Sequence, residues 1–116
     1  MQKFFDKFRG REASFKPQTK VKNFIKNFEE NFGVGVKVYV KTSNVPAKGD
    51  RTLASVRPDS FKGSPSDVSC KMSDKVGNVE ARFMKDMGVK IQVLNSDGSL
   101  CDDDKTLGEL QREQYS

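Results

Sequence analysis

TKVKNFIKNFEENFGVGVKVYV, residues 19–40, changes its hydrophobic period half-way along, from that of a helix to that of a strand. Val21, Phe24, Ile25, Phe28 and Phe32 recur at three- and four-residue intervals, which gathers them into one stripe of a helix. Thr19 is the expected N-cap, and Gly33 stands where a left-handed residue ends a helix. Beyond it Val34, Val36, Val38 and Val40 alternate with Gly35, Lys37, Tyr39 and Lys41, the pattern of a strand with one wet face.

The same switch is written again in DKVGNVEARFMKDMGVKIQVL, residues 74–94. At an offset of 55, Ser14, Lys16, Lys20, Val21, Asn23, Phe28, Gly33, Val34 and Val38 recur as Ser69, Lys71, Lys75, Val76, Asn78, Phe83, Gly88, Val89 and Val93. One deletion later the offset becomes 54, and Asp50-Arg51-Thr52-Leu53 answers Asp104-Lys105-Thr106-Leu107. Residues 13–17 and 68–72 alternate as short strands ahead of each helix, with Asp74 as the second N-cap. Each unit closes on a short helix, 52–57 and 105–113. The second carries Thr106 and Glu109 at capping-box spacing and the run Asp102-Asp103-Asp104 at its amino end.

These patterns divide the chain into a basic amphipathic segment, 1–10, and one domain, 11–116, made of repeats 11–57 and 66–113 joined by a flexible linker, 58–65. With 116 residues the units must share one core. The expected fold is α+β: duplicated βαβ units forming a four-stranded sheet with both main helices on one face, a ferredoxin-like layout. The close of the second unit, a strand and then DDDKTLGEL, is similar to the end of ubiquitin-like domains. Against that reading, the strand follows Gly33 or Gly88 directly and neither copy opens with a hairpin.

Catalysis is poorly supplied. Histidine is absent, which removes the commonest general base, and no serine or cysteine stands beside an activating partner. Two cysteines without histidine cannot complete a structural zinc site, and Cys70 is expected as a small buried apolar residue. In NSDGSLCDDD the glycine and closing carboxylate are out of register for a calcium loop, and GVG at 33–35 follows a helix instead of opening one, the reverse of a phosphate cradle. No metal or cofactor is expected. The two thiols and the lack of an apolar run of roughly 20 residues lead to an expected cytoplasmic location.

Charge is uneven: residues 1–57 carry 13 Lys/Arg against 5 Asp/Glu, residues 58–116 carry 8 against 11. That asymmetry suggests an anionic partner, or weak head-to-tail self-association. Strand parity puts Lys16, Lys37, Tyr39, Lys41, Lys71 and Lys90 together on the open face of the sheet, with no carboxylate among them. The expected function is a non-enzymatic binding, adaptor or inhibitor module that meets a protein partner through this face. The alternative is a nucleic-acid-binding domain, whose layout is similar to that of RNA-recognition domains, although only Tyr39 could stack on a base.

Overall fold

Both long helices form where the apolar stripes lie. The computed structural model describes residues 12–61, 64–95 and 97–115; the segment 1–10 and its expected helix lie outside the described residues. In chain order the elements are β1 (Glu12–Phe15), α1 (Val21–Phe32), β2 (Gly35–Val38), a 3-10 turn (Ala54–Val56), β3 (Val68–Lys71), α2 (Val76–Asp86), β4 (Ile91–Leu94) and α3 (Leu107–Tyr115), an α+β arrangement. α1 buries Val21, Phe24, Phe28 and Phe32, and α2 buries Val76, Val79 and Phe83.

The strands pair differently from the sequence expectation. In place of one four-stranded sheet there are two antiparallel ribbons, β1 with β3 and β2 with β4. A ferredoxin-like sheet would keep β2 and β4 apart, at opposite edges, whereas here they are direct neighbours. Alternation tells which face of a strand is wet but not which strand lies beside it, and four-residue strands leave that choice to the core. Both ribbons turn their apolar faces into one cluster. At its centre the Phe15 ring lies 5.0 Å from Phe24, 5.8 Å from Phe28, 6.4 Å from Phe32 and 5.9 Å from Phe83. Phe28 and Phe83 are fully buried, as is Cys70.

Each ladder is centred on residues 55 apart, Ser14 opposite Ser69 and Lys37 opposite Gln92. The backbone bonds of the first half also recur in the second. Val21 and Lys22 donate to the carbonyls of Arg51 (2.7 Å) and Gly49 (3.0 Å); Val76 and Gly77 donate to those of Lys105 (2.8 Å) and Asp103 (3.0 Å). These bonds satisfy the free amides at the start of each helix, so no side-chain cap is needed. The N-caps are accordingly Lys20 and Lys75, neither making a side-chain capping bond, and not Thr19 and Asp74 as the sequence suggested. The Asp74 carboxylate instead turns back to accept from the Lys71 N–H (2.9 Å) and from Arg82 (3.0 Å).

The same bonds locate the length difference. Ala47 donates to Val38 (2.8 Å) and Cys101 to Val93 (3.3 Å), so Ala47 and Cys101 hold like places. Ahead of them four residues stand between Val40 and Val45, and three between Asn95 and Ser99.

Two other local readings hold. Gly33 and Gly88 have φ of 72° and 77°, the left-handed conformation that glycine adopts without a Cβ penalty. The capping box forms: Thr106 N–H donates to Glu109 Oε1 (3.0 Å) and Glu109 N–H to Thr106 Oγ1 (3.1 Å). The first unit's closing helix shrinks to the three-residue turn Ala54–Val56, while α3 runs for nine residues. Within the linker Phe61 folds its ring over Gly88, and directly after it Ser66 N–H donates to the Asp86 carbonyl (2.7 Å), so the segment is anchored at points the composition did not mark.

Candidate interaction surface

Separate ribbons divide the six expected surface residues. Lys16 and Lys71 belong to the β1–β3 ribbon and are exposed. Lys71 faces Glu12 across the ladder, so this surface does carry a carboxylate. The sequence reading began the strand at Ala13, one residue too late to include it. Between them Ser14 and Ser69 join hydroxyl to hydroxyl at 2.7 Å. Arg82, which no motif or periodicity singles out, reaches over from α2 to donate to the Ser69 carbonyl at 2.7 Å as well as to Asp74.

Lys37, Tyr39 and Lys90 come together on the outward face of the β2–β4 ribbon. The Lys37 and Lys90 ammonium groups lie 5.9 Å and 5.0 Å from the Tyr39 ring centre, within cation–π reach. Tyr39 Oη donates to Gln92 Oε1, and Lys90 Nζ donates to the Ser43 carbonyl (3.1 Å) and to Asn44 Oδ1 (3.0 Å), which ties the 41–44 turn down beside the ring. Tyr39 is consequently only 7% exposed. That corrects the stacking expectation, because a covered ring offers no open π-face to a base. The parity argument missed it because Val38 and Tyr39 are both buried, one under each face.

Lys41 stands apart from the ring. It is an exposed residue of positive φ (53°), and its ammonium lies 3.6 Å from Asp59, itself nearly fully exposed. Of the six residues, then, Lys37 and Lys90 flank Tyr39, Lys16 and Lys71 occupy the other ribbon, and Lys41 belongs to the hairpin edge. The β2–β4 face itself displays Gly35, Lys37, Tyr39, Lys90, Gln92 and Leu94, without a carboxylate.

Reactive chemistry is thinly provided among the described residues. Burial pushes the Cys70 thiol up to about 12 and that of Cys101 to about 11. Both would be protonated thiols near neutral pH, which are poor nucleophiles. No group of three potential metal ligands is present among the described residues. A shallow groove of about 380 Å³ beside the β4 end is lined by Glu29, Gly33, Gly35, Leu94, Asn95, Gly98 and Gln114, one carboxylate without a second acid or base. No described helix is long and apolar enough to cross a membrane.

A scan against protein-family models, a search of curated proteins and a search of solved structures each found no match.

Proposed function

We propose that this chain is a small non-enzymatic binding module that engages an acidic surface of a protein partner through the β2–β4 face. The observation that carries this reading is Tyr39 and Lys90, held by hydrogen bonds to Gln92, Ser43 and Asn44, with Lys37 over the same ring, a cationic face without a carboxylate. Fixed cations lose less side-chain entropy on contact than free lysines do, which favours recognition of a defined anionic surface. The raised thiol values of Cys70 and Cys101 support a binding role over covalent chemistry. On this reading units 11–57 and 66–113 are two copies of one ancestral unit, sharing a domain and joined by 58–65, and the protein is cytoplasmic.

The second reading, nucleic-acid binding through phosphates, is favoured by the 13 to 5 excess of basic residues in 1–57. Salt separates the two. Phosphate binding should weaken with a log–log slope of about −0.7 to −0.9 per contact, while a locked protein interface should respond much less steeply. The experiment is affinity capture from nuclease-treated lysate with wild type and Lys37→Glu in parallel, followed by salt titration of whatever is retained. Lys37 is exposed, so the substitution should leave stability within about 0.5 kcal/mol. One protein retained by wild type and lost by K37E is the expected result. Equal retention by both would remove this face from consideration.

A further inference from the structure

The β2–β4 ribbon has two open edges that are alike in backbone and opposite in charge. Segment 45–47 pairs with the end of β2 through the bridge Tyr39–Pro46, and segment 99–101 pairs with the end of β4 through Leu94–Leu100. Val45 and Leu100 are the large apolar residues exposed among the described ones, at 60% and 58%, and each sits on one of these edges. Around Val45 the run KTSNVPAK, 41–48, holds Lys41 and Lys48 and no acid. Around Leu100 the run NSDGSLCDDD, 95–104, holds Asp97, Asp102, Asp103 and Asp104 and no base.

The backbone groups on the two edges also complement each other. Val45 O and Ala47 N–H bond inward to Val40 and Val38, so the intervening Pro46 carbonyl points outward. By the same alternation, Ser99 O and Cys101 N–H bond inward to Asn95 and Val93, and the Leu100 N–H points outward. The Leu100 carbonyl is taken by the Asn95 side chain at 3.3 Å. One edge thus offers an acceptor, since proline has no N–H, and the other a donor. Segment 45–47 runs antiparallel to β2 and 99–101 antiparallel to β4, and the two strands are antiparallel to each other. A second copy in the same orientation, shifted sideways across the strands, therefore brings its 99–101 antiparallel to 45–47 of the first.

We infer that the chain self-associates head to tail, the basic edge at 41–48 of one copy seating against the acidic edge at 95–104 of the next, with Val45 and Leu100 packed between them. The contact is heterologous, so both edges of the assembly stay open and it grows with concentration instead of closing as a dimer. It is also limited: proline on one side removes the ladder donor that would let the edges zip further, a device that restrains edge pairing. The Lys41–Asp59 pair competes only weakly, being an exposed ion pair. The edge meets the Lys37 face only at the 41–44 turn that Lys90 holds, and no edge variant replaces Lys37, Tyr39 or Lys90, so K37E and the edge variants test different contacts.

The test is sedimentation velocity of the full chain over a concentration series, at low and high salt, with K41E/K48E, D102K/D103K/D104K and the five-fold variant that combines them. Circular dichroism melts check that each variant folds, and Leu100→Ser provides a charge-neutral probe of the same edge. Wild type should exceed its monomer mass at low salt and return to it at about 1 M salt, where the screening length is about 3 Å. K41E/K48E and D102K/D103K/D104K should each stay monomeric, L100S should weaken the association about tenfold, and the five-fold variant should recover it because the signs are exchanged, two glutamates at 41–48 facing three lysines and the remaining Asp97 at 95–104. Wild type that remains monomeric at low salt and high concentration would overturn the inference, leaving lysine and Pro46 as protection of the edge against pairing. Association unchanged by either reversal, or not restored in the five-fold variant, would overturn it too.

Discussion

Replacing Gly88 by alanine sets two costs against each other at one atom. Gly88 follows α2 with φ of 77°, and a Cβ placed there would meet Cδ1 and Cγ of the Phe61 ring at 2.6 Å. Gly98 provides the internal control, with φ of 86° and nothing within 4 Å of its Cβ position. Left-handed backbone costs an L-residue about 1–2 kcal/mol, partly offset by about 0.4–1 kcal/mol from restricting the unfolded chain. Gly98→Ala should therefore cost about 1 kcal/mol. Gly88→Ala adds displacement of an aromatic ring from a packed position, a further cost of about 1–3 kcal/mol by analogy with overpacked cores, for a total of about 2–4 kcal/mol. Urea unfolding of both variants, together with Phe61→Ala and F61A/G88A, completes a double-mutant cycle. Once the ring is gone, Gly88→Ala should cost no more than Gly98→Ala. Equal costs for G88A and G98A in the presence of Phe61, or a cycle with no coupling, would show that the ring does not rest on Gly88 and that the linker is free there.

Phe83→Ala should cost about 3–5 kcal/mol, because the ring is fully buried and lies 5.3 Å edge-on to Phe24; urea unfolding showing less than about 1 kcal/mol would refute the aromatic core. Thr106→Ala breaks half of the capping box and should lower stability by about 1 kcal/mol, seen as a lower midpoint without a changed slope. At Asp74 partial burial, which raises the carboxyl's pKa, is outweighed by bonds from Arg82 and the Lys71 N–H, which leave it below the usual carboxylate range. Its contribution is present above the unfolded value of about 3.9 and is lost as pH falls below it, so Arg82→Met should flatten the acid limb of the stability–pH curve.

Elements were legible in the chain because their signals are local. The stripe Val21, Phe24, Phe28, Phe32 and the positive-φ positions Gly33 and Gly88 depend only on neighbours in sequence, as does the Thr106–Glu109 box. Strand partnership does not. Whether β2 lies beside β4 or beside β3 is set by how Phe15, Phe24, Phe28, Phe32 and Phe83 fill the space between ribbons, a property of five rings from both halves at once. The surface inherited that gap: lysines expected on one sheet fell on two, and Glu12 entered the wet face of one of them. The N-caps failed for a related reason, since the carbonyls of Gly49, Arg51, Asp103 and Lys105 arrive from about 30 residues away.

What differs between the halves is then more informative than what they share. Segments 45–47 and 99–101 make matching bonds to the ends of β2 and β4, so their backbone geometry is not what separates their roles. The run 41–48 carries two lysines and a proline, and the run 97–104 carries four aspartates and the outward amide of Leu100. The ladders centred on Ser14–Ser69 and Lys37–Gln92 put these hairpins on opposite sides of the ribbon. Were both hairpins basic, neighbouring copies would repel at every approach; were both neutral, two exposed apolar edges would pair without preference for direction. On the association proposed above, opposite charge on like edges would leave one favourable approach, head to tail, and would make the sign of each hairpin a determinant of assembly separate from the fold that presents it.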